Sequence, residues 1–186
     1  GYSSLGTNTT GEHNVALGSY CLKLNTTGSR NMGMGVNTLQ QNTTGSDNVA
    51  LGEDALKYNT TANYNTAVGK SALQENTTGT SNVAVGTYAL DANTTGGSNT
   101  AVGVNALTTA TTGNYNTAVG KSALQDNTTG DQNAALGFEA LDANTTGNNN
   151  VAIGDSSLSS STTAGDCTAV GRAAINSSTT ASRNTA

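Results

Sequence analysis

A 17-residue repeat runs through this chain from one end to the other, and it limits the fold more than any single residue does. Counted from the asparagine that opens each Asn-Thr-Thr tripeptide, the consensus is N-T-T-G-x-x-N-(V/T)-A-(V/L)-G-x-x-A-L-x-x. Ala110, Ser161 and Ser178 stand at the phase of that asparagine in three copies. Because helical and propeller repeats need longer units, the sequence predicts an all-β solenoid, a parallel β-roll or β-helix of about eleven coils.

Several positions of the repeat hold the same residue in every copy. Positions 2 and 3 are always Thr, position 11 is always Gly, and position 15 is always Leu or Ile. Identical positions imply identical environments, so we predict one repeat array over residues 1–186, with complete repeats in 8–177 and partial repeats in 1–7 and 178–186. Neither end shows a capping sequence, and we therefore expect a segment of a longer fibre or a protomer covered by neighbours.

The composition supports a thin coil rather than an ordinary globular domain. Only 34% of the residues are hydrophobic, 10% are charged, and the chain has one Phe and no Trp. Such a polar composition without a period would be typical of disorder. The strict recurrence of Leu at position 15 instead indicates a continuous, narrow core.

Local patterns favour strands and tight corners. Larger and smaller side chains alternate from Asn82 to Gly86, as in a strand, and the Ala89-Leu90 pair and the Thr pairs add further strand formers. Gly at positions 4 and 11 predicts corners with a positive φ or a close backbone approach. Asparagine also tolerates a positive φ, and inward asparagines can form hydrogen-bonded ladders. Recurrent Gly and Thr disfavour a helix.

Stacked coils rising about 4.8 Å each would form a rod on the order of 50 Å long. One thin coil buries few side chains, so we expect self-association as a lateral trimer, an end-to-end filament, or both. Small residues such as Ala67, Gly69 and Ala72 could allow neighbouring chains to approach closely, or could simply form tight corners. The sequence leaves both interpretations open.

Three stretches carry a family resemblance. Asn14 to Gly18, Asn48 to Gly52 and Asn150 to Gly154 read Asn-Val-Ala-(Leu/Ile)-Gly, and each follows Thr-Gly-x-x. They resemble the head repeats of trimeric autotransporter adhesins, the YadA-like heads, and related arrays in phage and viral tail fibres. The resemblance covers essentially the whole chain and implies a β-roll of three side-by-side chains, displayed outside the cell for attachment to a host or matrix. The adhesin repeat is usually shorter, and no family binding residue can be transferred.

The Asn-Thr-Thr tripeptides also fit the acceptor pattern for N-glycosylation, which would place a row of glycans along the rod. The alternative is that each asparagine forms a corner hydrogen-bonded to the backbone. The candidate acceptors are Asn8, Asn25, Asn42, Asn59, Asn76, Asn93, Asn127, Asn144 and, in the serine form, Asn176.

Threonine columns suggest an ice-binding β-solenoid as a further alternative. Adjacent residues of a strand point to opposite faces, so one Thr per coil would face outward. Thr as an ordinary strand former is the simpler interpretation.

Nothing in the sequence indicates catalysis, a cofactor or a metal site. His13 is the only histidine, and the acidic residues occupy variable positions singly. The carboxylate pair that a carbohydrate-active fibre would need is missing as a repeated feature. We therefore predict that the protein is not an enzyme.

Charge, cysteine placement and the length of apolar runs limit what the chain could bind or span. The net charge of −5 and the scattered basic residues argue against nucleic acid. Cys21 and Cys167 are too far apart along a straight rod to form a disulfide, which leaves core positions or an intermolecular pair. The longest apolar runs are too short to cross a membrane.

Together these features predict an extracellular, cell-surface or virion-surface structural fibre, stalk or adhesin-head segment. Its partners would be copies of itself and a host-surface protein or carbohydrate. The principal alternative is a phage or viral tail-fibre receptor-binding shaft. A receptor patch would lie in the variable positions 5, 6, 12, 13, 16 and 17, which distinguishes an adhesin from a passive spacer.

Overall fold

The computed structural model describes residues 1–176 and 179–186 and confirms an all-β parallel solenoid with a 17-residue repeat. Consecutive strands pair in parallel, in the order β1 to β10, so that Ala67 lies opposite Ala84 one repeat later. The strands are β1 (Val15–Leu17), β2 (Met32–Met34), β3 (Val49–Leu51), β4 (Thr66–Val68), β5 (Val83–Val85), β6 (Thr100–Val102), β7 (Thr117–Val119), β8 (Ala134–Leu136), β9 (Val151–Ile153) and β10 (Thr168–Val170).

These ten strands delimit nine turns of the solenoid, and a single bridge joins Thr168 to Thr185 beyond them. The expected eleven coils and the oligomeric state stay predictions. Ser177 and Ser178, which carry the last boundary between repeats and the serine-form acceptor pattern after Asn176, lie outside the described residues.

Within the described residues, each coil has one strand, at positions 8 to 10, which is shorter than the sequence pattern predicted. The expected strand at the Thr pair is wrong, because positions 2 and 3 form a bend. Coil-to-coil bonding nevertheless continues there: the backbone N–H of Thr26 donates to the Thr43 carbonyl at 2.9 Å. The bend therefore satisfies its backbone groups without a regular strand.

Left-handed backbone shapes the corners at places that the sequence did not indicate. Positions 6, 13 and 15 have a positive φ in successive coils, including Leu56 at 50° and Leu73 at 55°. The left-handed conformation costs a non-glycine residue about 1–2 kcal/mol. Full burial of a leucine side chain contributes about 2 kcal/mol, which offsets that cost. The asparagines expected to occupy such corners at positions 1 and 7 have no positive φ.

Glycine has different roles at the two predicted corners, and only position 11 holds it in every copy, since Ala62 and Ala164 occupy position 4. At position 11, Gly69 has φ +133° and its backbone meets that of Gly86 in the next coil. At position 4, φ is ordinary, but a Cβ on Gly79 would lie 2.2 Å from the carbonyl oxygen of Gly96. The prediction of close approach or positive φ is therefore confirmed at both positions.

The core is a narrow stack of three kinds of side chain. Leucine at position 15 is fully buried from Leu22 to Leu158, and small residues at positions 9 and 14 fill the space beside it. Buried asparagines at positions 1 and 7 complete the interior. Because Ala67 and Ala72 are inside this core, they cannot form a contact between chains, and of the three small residues only Gly69 forms a corner.

Candidate interaction surface

The outward face of the sheet carries a continuous uncharged surface, which we call the apolar strip. It consists of the first and third residue of every strand, since the middle residue points inward and is buried in β2 to β10 and half-buried in β1. Its members are Val15, Leu17, Met32, Met34, Val49, Leu51, Thr66, Val68, Val83, Val85, Thr100, Val102, Thr117, Val119, Ala134, Leu136, Val151, Ile153, Thr168 and Val170.

The strip is most exposed toward its two ends, whereas the strip residues of β3 to β6 are half-buried. Leu17 is 59% exposed, Leu136 is 50% exposed and Val170 is 57% exposed, whereas Ala84 in the middle of β5 is 0% exposed. Threonine is the only polar residue type in the strip. A large contiguous apolar patch on a protein surface is often an interaction site.

Charged residues occur at positions 6 and 12, which are two residues before and two residues after the strip positions in the sequence. At position 6, Arg30 donates to both carboxylate oxygens of Asp47, at 2.6 and 2.8 Å, and this hydrogen bonding lowers the pKa of Asp47. At position 12, the Nζ of Lys70 lies 3.2 Å from Glu53 Oε2, and this hydrogen bond raises the pKa of Lys70. An apolar centre with a polar surround is the usual arrangement of a protein interface.

Two inward ladders of asparagine hold successive coils in register. We call position 1 the first asparagine column and position 7 the second. In the first column, Asn76 Nδ2 donates to Asn59 Oδ1 at 2.9 Å and to the Gly79 carbonyl at 3.0 Å. In the second column, Asn82 Oδ1 accepts the backbone N–H of Asn99 at 2.9 Å. The first column is buried from Asn25 to Ser161 and the second from Asn31 to Cys167.

This geometry bears directly on the glycosylation candidates. The side-chain nitrogens of the first column donate inside the core, and a glycan on such a nitrogen is incompatible with the ladder. The fully buried candidates are Asn25, Asn42, Asn59, Asn76, Asn93, Asn127 and Asn144. Asn8 and Asn176 are exposed, and glycosylation there stays a prediction.

The threonine columns divide their roles between neighbouring positions. At position 2 the Thr is half-buried, and its hydroxyl donates to the equivalent carbonyl of the next coil, as Thr77 does to Thr94 at 2.9 Å. At position 3 the Thr is exposed, as at Thr78 and Thr95. One fully exposed threonine per coil is therefore available to solvent, although the pair forms a bend and not a strand.

The other candidate residues are not brought together into a site. His13 is exposed, with its nearest carboxylate on the adjacent Glu12 at 3.9 Å. Within residues 1–176 and 179–186, no three His, Cys, Asp or Glu side chains cluster in a way that could hold a metal ion. Cys21 and Cys167 are buried thiols without a disulfide, and burial raises the pKa of Cys21 to about 11.

Sequence reasoning missed both the strip and a longer period. Residues 63–79 and 114–130 are identical except for Glu75 and Asp126, so three coils form a 51-residue unit in this part of the chain. The unit repeats the exposed Tyr64 as Tyr115 and the basic Lys70 as Lys121. The strip could have been found from the absence of charge at positions 8 and 10.

No protein-family model matches the chain, and comparisons with curated proteins and with solved structures give no match. The resemblance to adhesin heads and tail fibres therefore stays a prediction from the motifs. In the described ranges, no helix is long and apolar enough to span a membrane.

Proposed function

We propose that this chain is a segment of an extracellular structural fibre, a stalk or adhesin head, that self-associates side by side through the apolar strip. The observation that carries the proposal is the run of ten strands whose outward residues include no charge. A solenoid that worked alone would gain solubility from charged residues on this face. Burial of the strip in an assembly accounts for their consistent absence.

A second copy of the same chain is the partner that best fits the strip. The outward residues recur every 17 positions, at the spacing of stacked strands, along the whole sheet. Only a surface with the same rise of about 4.8 Å can match every step of that pattern. A copy of this solenoid has that rise by construction, and its own strip needs the same cover.

The size of the strip fits this role. Ten strands and two outward rows give an apolar area on the order of 450 Å². A standard interface buries about 800 Å² on each partner, of which the centre is apolar and the margin polar. Position 6 and position 12, with pairs such as Arg30–Asp47 and Glu53–Lys70, supply residues for such a margin.

The location outside the cell and the attachment role depend on the resemblance of the Asn-Val-Ala-Leu-Gly stretches to adhesin heads. A receptor-binding shaft of a phage or viral tail fibre uses the same architecture and remains the alternative. The ice-binding alternative has less support, because the position 2 hydroxyls are engaged in hydrogen bonds between coils and the exposed threonine at position 3 lies in a bend. The exposed Tyr64 and Tyr115 are the clearest residues for contact with a host protein or carbohydrate.

The test introduces charge into the strip and compares it with charge elsewhere on the same two coils. We expect the native chain to sediment as an oligomer and the Val85→Lys, Val102→Lys double variant to sediment at the mass of one chain. The matched control is Thr78→Lys, Thr95→Lys, which adds the same charge at exposed position 3. Sedimentation of the native chain as a monomer, or equal dissociation of both variants, would contradict the proposal. Circular dichroism on each variant verifies the fold.

A further inference from the structure

Unsatisfied buried polar groups are confined to two places in the described chain. Five side-chain oxygens there are buried without a hydrogen-bond partner: Asp91 Oδ1, Asn93 Oδ1, Asp142 Oδ1, Asn144 Oδ1 and Ser161 Oγ. Four of them belong to two copies of the sequence Leu-Asp-Ala-Asn-Thr-Thr-Gly, 51 residues apart, and the fifth, Ser161 Oγ, lies one coil after Asn144. Buried acceptors without a partner are uncommon and require a physical explanation.

The explanation at Asn93 is the loss of one side-chain amide. In an intact coil, the nitrogen of each asparagine in the first column bonds to two acceptors, the Oδ1 of the previous coil and the carbonyl at position 4 of its own coil. Asn93 itself does so toward Asn76 and Gly96, at 2.8 and 3.0 Å. The next member of the column is Ala110, which has no amide. Asn93 Oδ1 therefore loses its donor.

The carbonyl at position 4 also loses one of its two side-chain donors in this coil. The Gly96 carbonyl accepts from both Asn82 and Asn93, at 2.9 and 3.0 Å. The equivalent Gly113 carbonyl accepts from Asn99 at 2.8 Å and has no second side-chain donor, because Ala110 replaces the asparagine. Two acceptors thus converge on the point that an amide nitrogen occupies in the intact coils.

We propose that a buried water molecule occupies this point and donates hydrogen bonds to Asn93 Oδ1 and the Gly113 carbonyl. Replacing a carboxamide by a hydrogen frees a volume on the order of one water molecule, about 30 Å³. A polar cavity of that size with two acceptors is the kind that retains water. A metal cation is a poorer fit, since the next coil presents an amide nitrogen, that of Asn127, to the same region.

A second water fills the equivalent point at Ser161 and has one more partner. Its acceptors are Asn144 Oδ1 and the Ala164 carbonyl, which already accepts from Asn150 at 2.8 Å. The Ser161 hydroxyl is buried and unpartnered within the described residues, and it is positioned to donate to this water. Three hydrogen bonds are typical of a structural water.

The direct test is an experimental map of the chain at about 1.5 Å resolution. We expect one peak within hydrogen-bonding distance of both Asn93 Oδ1 and Gly113 O, and a second at Ser161. Ala110→Asn should remove the first peak and leave the second. Asn76→Ala should create a third peak, between Asn59 Oδ1 and Gly79 O. A map in which these points are empty, or in which a metal ion occupies them, would overturn the proposal.

A solution measurement gives an independent check in the folded chain. The side-chain amide of Asn99 lies beside the proposed water, whereas that of Asn82 occupies the equivalent place in an intact coil. We expect a water cross-peak in nuclear Overhauser spectra for Asn99 and none for Asn82, and its loss in Ala110→Asn. Equal cross-peaks for the two amides, or a peak unaffected by Ala110→Asn, would contradict a site at the break.

Discussion

The two asparagine columns are built from the same residue and respond differently to its loss. In the second column, each side-chain oxygen accepts the backbone N–H of the next coil. The backbone N–H of Cys167 therefore still donates to Asn150 Oδ1 at 3.0 Å, although cysteine has no side-chain amide. In the first column, each oxygen accepts a side-chain N–H, and Ala110 leaves Asn93 Oδ1 without a donor. A ladder of side chain to backbone therefore keeps its bond when the donor residue is substituted, whereas a ladder of side chains leaves an unpaired acceptor.

The second column is the more sensitive of the two when the asparagine that accepts the hydrogen bond is removed. Loss of a second-column asparagine removes the acceptor of a buried backbone N–H, as Asn82 Oδ1 is for the N–H of Asn99. Loss of a first-column asparagine orphans only side-chain groups, and the backbone bonds between coils persist. Within the described residues, the first column holds two such substitutions, Ala110 and Ser161, and the second column holds one, Cys167.

The largest effect is expected for Asn82→Ala. This variant leaves the buried N–H of Asn99 unpaired and removes a donor from the Gly96 carbonyl, and an unsatisfied buried group costs about 1–3 kcal/mol. We expect a loss of about 3 kcal/mol in the free energy of unfolding, measured by chemical denaturation. The control is Thr80→Ala, on the exposed surface of the same coil, which should change it little.

Asn76→Ala should cost less, about 1–2 kcal/mol, because it leaves only side-chain groups short of a partner and a water can replace the amide. Asn59 Oδ1 loses its donor, and Asn93 Nδ2 loses one acceptor but keeps the Gly96 carbonyl. The Gly79 carbonyl keeps its bond from Asn65 at 2.9 Å. The same denaturation experiment provides the comparison. A loss equal to or larger than that of Asn82→Ala would show that the two columns do not differ as described.

Cys167→Ala should have a smaller effect, about 1 kcal/mol, from the loss of a buried sulfur. The backbone N–H of residue 167 remains to donate to Asn150 Oδ1. In nuclear magnetic resonance spectra, that N–H should remain as protected from exchange as in the native chain. Rapid exchange at this amide would mean that the thiol, and not the backbone, maintains the register.

The smallest effect concerns Asp91, beside the broken first column. Burial raises its pKa from 3.8 to about 6, with a further increase from Glu75. The folded state therefore favours the protonated form, and this stabilisation is complete below about pH 4 and is lost as the pH rises through 6. Asp91→Asn should raise the free energy of unfolding near pH 7.5 by less than about 1 kcal/mol, after allowance for solvent screening of a half-buried group. It should give no gain near pH 4, and a pH-independent gain would contradict this origin.

The period alone predicted much of the fold. Leucine at every seventeenth position requires coils stacked in register, and glycine at position 11 marks the corner that it forms. The left-handed backbone at positions 6 and 13 could not be predicted, because those positions hold residues as different as Tyr64, Asp54 and Ser81. Their conformation is imposed by closure of the coil and not by local preference.

The other feature that the sequence left unresolved was which side chains of each strand face the core. In a segment such as Val83-Ala84-Val85, hydrophobicity would favour the valines inside, yet the structure buries the alanine. The interior is already occupied by the leucine column and the two asparagine columns, so only a small side chain fits beside them. The valines are left outside, and the apolar strip is the consequence.

The central claim is that this strip joins parallel copies of the solenoid, and cryo-electron microscopy of the purified native chain tests it most directly. The account predicts rods with a rise of about 4.8 Å per coil and two or more chains in cross-section, their strips buried against one another. Single solenoids with Val85 and Val102 facing solvent, or a compact particle without the axial repeat, would contradict it.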